Sequence, residues 1–133
     1  MQTNQSFYLQ RNTKQLLDKI AHISKFVLPI YWAILTYILL RPGIETEGIR
    51  LFPHADKVVH FAAFFILGFL LKATFPKIRF SIYAILIISY GLLTEVLQGV
   101  MQWGRTLEFL DLVADTLGGF LALYLYSVTK SRL

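Results

Sequence analysis

The chain has 133 residues, the length of a single domain, of which 56% are apolar and 16% charged. So few polar groups cannot cover a water-facing surface, which excludes an ordinary small soluble domain and points to a membrane protein. The lack of cysteine excludes disulfides, thiolate nucleophiles and Cys-type zinc sites. The net charge of +5 comes from basic residues set between and around apolar runs, so it argues for membrane topology and against nucleic acid as a partner.

In residues 1–25, Leu16, Leu17, Ile20, Ile23 and Val27 recur at helical spacing with Lys14, Lys19 and Lys25 between them. This pattern predicts a basic amphipathic helix lying on an anionic membrane surface. The first strong apolar run begins near Phe26, is longer than a signal core and is followed by no small-x-small pattern, so it is expected to be retained.

Four segments approach the roughly 17–25 residues that cross a bilayer. The first is Phe26–Leu40, with His22–Lys25 as its upstream extension and Pro29 making its start ambiguous. The second is Val58–Leu71, extensible to Asp56 and Phe75; the third is Phe80–Met101; the fourth is Phe109–Val128. Their lengths favour helices, because a lone strand in lipid leaves backbone groups unsatisfied. Pro42-Gly43 and Pro53 mark the first connection, Pro76 the second and Gly104 the third. The expected fold is all-α: an integral membrane bundle of four transmembrane helices with an N-terminal basic amphipathic interfacial helix. The expected divisions are a cytoplasmic amphipathic segment 1–25, a transmembrane domain 26–128 and a cytoplasmic tail 129–133.

Of the 13 lysines and arginines, nine fall on one side of this topology: Arg11, Lys14, Lys19, Lys25, Lys72, Lys77, Arg79, Lys130 and Arg132. The other side has Arg41, Arg50, Lys57 and Arg105. The asymmetry predicts both termini in the cytoplasm, with 41–57 and 102–108 facing outward.

That topology brings the intramembrane polar residues to one depth. Asp56, Lys57 and His60 open the second span. Glu95 lies six residues below the outer end of the third, roughly 9 Å at helical rise, with Gln98 one turn nearer the surface. Asp115 lies as deep in the fourth, with Glu108 and Asp111 above it and Arg105 in the connection. Asp56 and His60 share a helix face, as do Glu95, Gln98 and Gln102, and Glu108, Asp111 and Asp115. Ionisable residues in a span usually face an interior and have partners. Ala114, Gly118 and Ala122, and Gly91, Glu95 and Gly99, give small faces suited to close helix approach.

The segments "DKVVHFAAFFILG", "GLLTEVLQ" and "GRTLEFLDLVADTLGG" resemble the VanZ-like family of small bacterial membrane proteins. They match its D-K-x-x-H-F start, its E-x-x-Q helix and its R-x-x-x-x-x-D-x-x-x-N-x-x-G element, over about residues 56–120. One position departs: Asp115 stands where the family usually has Asn, which adds a negative charge, or a proton in a dry site. The resemblance implies an envelope-facing protein of the bacterial cytoplasmic membrane. The family shares its name with a glycopeptide-resistance protein associated with reduced sensitivity to teicoplanin, a lipid-bearing antibiotic acting outside the membrane. It implies no defined reaction.

Three readings of the cluster stay open. In the first, it binds or processes an envelope lipid head group or glycopeptide. Glu95 and His60 would serve as acid and base, and Asp56, Lys57, Gln98, Arg105, Asp111 and Asp115 would hold the ligand. Its partners would be membrane lipids and a lipid-linked envelope precursor or glycopeptide. In the second, the same residues form a structural network, with Arg105 paired to Asp111 or Glu108 and His60 to Glu95. In the third, His60, Glu95, Asp111 and Asp115 hold a divalent metal, whose ligand types suit zinc or manganese but lack a tight motif such as H-E-x-x-H. No cofactor is expected on the first two readings. A transporter would need oligomerisation, because four spans with one outward cluster give no through-path.

Overall fold

The computed structural model describes residues 2–41, 53–101 and 107–131, with side-chain surroundings from residue 5 onward. Its helices are α1 (Gln2–Leu40), α2 (Ala55–Thr74), α3 (Phe80–Met101) and α4 (Phe109–Ser131). All four are long and apolar enough to cross a membrane. The bounds of α3 are those the apolar run predicts. Helix α2 exceeds its apolar core, Val58–Leu71, by three residues at each end, and α4 runs on to Ser131. In each case polar residues extend a helix whose backbone is already committed.

The amphipathic segment and the first span are continuous in α1, which runs through Pro29. Proline removes one donor and crowds the turn before it. Breaking the helix there would expose several more backbone groups in apolar surroundings, which costs more. At 39 residues α1 is about 58 Å long, roughly twice the hydrocarbon thickness, so it extends beyond its span. Ser24, Leu28, Leu35 and Leu39 form its buried face. Phe26, Ile30, Ile34 and Tyr37 are exposed on the other side.

The bundle has two distinguishable ends. At one, residues 7–21 of α1 stand beside Pro76 and the last turns of α4 at Tyr126 and Lys130. At the other, Leu39 meets Gln98, and Lys57 meets Glu108 and Asp111. The chain therefore alternates direction, as its short connections require. Between the ends, Phe64, Leu67 and Leu71 of α2 pack with Tyr83 and Ile87 of α3 and the leucines of α1.

Apolar burial does not drive association between helices in lipid, so close packing must. The tightest approach is between α2 and α4. A Cβ on Gly118 would lie 2.2 Å from the Phe61 carbonyl oxygen, and one on Gly68 would lie 3.1 Å from the Gly119 Cα. Tyr83, fully buried, locks this seam by donating its hydroxyl to the Gly119 carbonyl at 2.6 Å. Gly118→Ala must therefore push the α2 backbone away and is expected to cost about 1–3 kcal/mol. Gly99→Ala meets Leu107 Cβ at 3.2 Å, tight but short of a backbone clash, and should cost less. Unfolding titrations in mixed micelles measure the difference; equal stability of the two variants would contradict the seam.

Candidate functional site

The first turns of α2 and α4 and the last turns of α3 converge on one polar cluster. Its rim centres on Lys57. The Lys57 Nζ is 2.6 Å from Asp56 Oδ2 and 2.8 Å from Asp111 Oδ1, and it also donates to Glu108 Oε2. Asp56 and Glu108 are exposed, whereas Asp111 is buried. One ammonium thus gathers three carboxylates, from α2, from α4 and from the residue just before α4. Asp111 also stands in the first turn of α4, where the unpaired N–H groups of a helix start favour negative charge.

A deeper layer lies beneath the rim. His60 Nδ1 is hydrogen-bonded to Asp115 Oδ1 at 2.9 Å, and its Nε2 is 3.8 Å from Asp111 Oδ2. Glu95 Oε2 accepts the Glu108 backbone N–H at 3.1 Å, which ties α3 to the start of α4. Glu95 is 1% exposed and Asp115 0%. Glu95 Oε1 and Asp115 Oδ2 are buried with no hydrogen-bond partner among the described residues. Ligand-capable atoms of His60, Glu95 and Asp115 all lie within 4.8 Å of one another, as do those of Asp56, Glu108 and Asp111.

The sequence places Asp56, Lys57, His60, Glu95, Gln98, Asp111 and Asp115 at one end, and the structure brings them there. The pairings differ from those the sequence invites. His60 pairs with Asp115, where Glu95 was expected, and Asp56, on the same face as His60, turns outward to Lys57. Lys57 takes the carboxylates of Glu108 and Asp111 that were assigned to Arg105. Arg105 itself lies outside the described residues, as does Gln102. Gln98 turns away from the cluster and donates from Nε2 to the Leu39 carbonyl in the last turn of α1 at 2.8 Å.

Two features escape the sequence reading. One is a groove of about 510 Å³ between α2 and α4, walled by Val58, Phe61, Leu110 and Leu117, with Lys57 and His54 at its polar end. The other is His54, which precedes α2 in a left-handed conformation at φ 64° and makes no side-chain cap bond. A non-glycine residue there is uncommon. The signal available was its place between Pro53 and the helix start, where a capping Ser, Thr, Asp or Asn would be usual.

His60 and Asp115 form a base oriented by a carboxylate, a pairing that catalytic sites use to activate a hydroxyl. The nearby hydroxyls are committed elsewhere: Thr94 donates to the Gly91 carbonyl and Thr116 to that of Leu112. Among the described residues no hydroxyl is hydrogen-bonded to the pair. What the arrangement offers is proton exchange at depth and a dense set of acceptors at the rim. In comparisons with known proteins, the VanZ/LLP1 family profile matches residues 2–130. No curated protein and no solved structure matches the chain.

Proposed function

This chain belongs to the VanZ family over residues 2–130, and from that premise we propose that it holds the head group of an envelope amphiphile at the Lys57 end of its bundle. The observation that carries the reading is the α2–α4 groove, which is apolar along its length and ends beside exposed carboxylates. An acyl or isoprenyl chain fits such walls, and a head group would then meet Asp56 and Glu108. Charge selects the head. Around Lys57 and His60 the described residues supply five carboxylates: Asp56, Glu95, Glu108, Asp111 and Asp115. With its ammonium already engaged by three of them, Lys57 is a poor phosphate anchor. Hydroxyl and ammonium donors suit the rim better. A lipid-bearing glycopeptide presents the same combination of chain and hydroxyl-rich head, which connects the reading to glycopeptide tolerance.

Native mass spectrometry of the purified protein, offered phosphatidylglycerol, a lipid-linked glycan and a lipoglycopeptide in turn, tests this. An amphiphile with a donor-rich head should be retained, and Asp56→Asn with Glu108→Gln should weaken it at least about tenfold, the effect of turning two charge-assisted hydrogen bonds into neutral ones. Retention that ignores both head group and variants would sink the reading. A structural role is the second reading. It is favoured by how fully the cluster pairs with itself, Lys57 with three carboxylates at the rim and His60 with Asp115 beneath it.

The reading also requires the Lys57 end to face outward. The basic residues at the opposite end support that orientation, with both termini in the cytoplasm of a bacterial inner membrane. Because the chain has no cysteine, single substitutions report on it cleanly. Leu107→Cys should react with a membrane-impermeant maleimide on intact spheroplasts, and Ser131→Cys only after lysis. The opposite pattern would invert the topology and move the groove's mouth to the cytoplasm.

A further inference from the structure

We propose that His60, Glu95 and Asp115 form a buried site for one divalent transition-metal ion of the zinc or manganese class. Each residue comes from a different helix, α2, α3 and α4 in turn, so the site is a product of the fold and of no local motif. Their exposures are 6%, 1% and 0%, and one ligand atom of each lies within 4.8 Å of the others. Two buried carboxylate oxygens, Glu95 Oε1 and Asp115 Oδ2, have no partner among the described residues. A buried acceptor left unpaired is costly, and more so on a charged group. No lysine serves them, since the ammonium of Lys57 is engaged by Asp56, Glu108 and Asp111.

Charge agrees with a metal, and the spacing would do so once the His60–Asp115 pair opens by about half an ångström. Two carboxylates and a neutral imidazole total two negative charges, which one divalent cation balances. Oxygen and imidazole donors together suit zinc and manganese. His60 Nδ1 and Asp115 Oδ1 are 2.9 Å apart. Two ligand atoms on a tetrahedral zinc with bonds near 2.1 Å stand about 3.4 Å apart. The ion would thus take the place of the proton between Nδ1 and Oδ1, and in a neutral imidazole that proton passes to Nε2. Rotation of the Glu95 carboxylate supplies the third ligand.

The surroundings complete the arrangement. With Nδ1 on the metal, the His60 proton resides on Nε2, which faces Asp111 Oδ2 at 3.8 Å. Metal-bound histidines commonly direct their second nitrogen to a carboxylate, which fixes the ring and raises its basicity. Lys57 in turn holds Asp111 in place. Of the four ligands the sequence allows, the structure therefore assigns three to the metal and Asp111 to the outer shell. Three protein ligands leave one coordination position for water or a ligand atom.

The site is separable from head-group binding, which rests on Asp56 and Glu108 and is read by lipid retention. The full chain, purified in detergent without chelator and dialysed against Zn²⁺ or Mn²⁺, should retain about one ion per chain by mass spectrometric metal analysis. Glu95→Gln and Asp115→Asn should each lower affinity at least about tenfold. Visible absorption of the Co²⁺-loaded wild-type protein provides a readout that needs no variant. Intense four- or five-coordinate bands, abolished by Zn²⁺, are expected. A featureless Co²⁺ spectrum, substoichiometric metal after dialysis, or full occupancy in a folded Glu95→Gln/Asp115→Asn double variant would each overturn the proposal.

Discussion

Lys57→Met is expected to destabilise the protein by about 2–4 kcal/mol, through loss of the only ammonium shared by Asp56, Glu108 and Asp111 among the described residues. The three contributions are unequal. The Asp56 and Glu108 side chains are 54% and 46% exposed, so water screens them and each pair contributes little. The Asp111 side chain is 10% exposed and keeps a 3.8 Å approach to His60, too long for a hydrogen bond. Removing its cation leaves a nearly buried carboxylate uncompensated, which is where most of the loss arises. Methionine keeps the length and apolar stem of lysine, so packing changes little. A double-mutant cycle isolates the pair: Asp111→Asn should recover part of the loss in the Lys57→Met background, with a coupling of about 1–2 kcal/mol. Mixed-micelle unfolding reads both quantities. A single-variant loss under about 0.5 kcal/mol would mean that the rim is not a structural network, and would remove the observation favouring that reading.

Glu95→Gln is expected to separate folding from function. The one hydrogen bond Glu95 makes among the described residues, accepting the Glu108 N–H, survives in glutamine because the amide oxygen also accepts. The variant removes a buried charge, which is costly in itself. Stability should therefore hold within about 1 kcal/mol or rise. Metal retention, and any envelope phenotype that depends on it, should fall at least about tenfold, whereas head-group retention at Asp56 and Glu108 should hold. The same variant that fails to insert, or loses monodispersity, would instead place Glu95 in the structural scaffold. The contrast with Lys57→Met is diagnostic: one variant should lose stability, the other activity.

These expectations depend on pairings, and pairings were the part of the site least visible in the sequence. Glu95, Gln98, Asp111 and Asp115 were legible as inward stripes because helical spacing of three and four is a local property. Their shared depth with His60 followed from counting residues from the ends of apolar runs. Which side chain reaches which was not legible. Gln98 sits on the Glu95 stripe yet bonds to the Leu39 carbonyl, a backbone acceptor 59 residues away that only helix packing brings within reach. Asp56 shares a face with His60 yet turns to Lys57. The groove between α2 and α4 was equally hidden, because Val58, Phe61, Leu110 and Leu117 read as ordinary apolar positions on separate helices.

The sequence by itself determined four membrane-spanning helices, where their apolar cores lie, and that one end of the bundle collects nearly all the intramembrane charge. Length, hydropathy and periodicity act along the chain, so they can be read along it. The tertiary structure decided the continuity of α1 through Pro29, the α2–α4 seam at Gly118, the capture of three carboxylates by Lys57 and the meeting of His60, Glu95 and Asp115. Those outcomes depend on how each helix is rotated and how closely it approaches its neighbours. Side-chain volume and the need to satisfy every buried polar atom set both only when all the helices are present together.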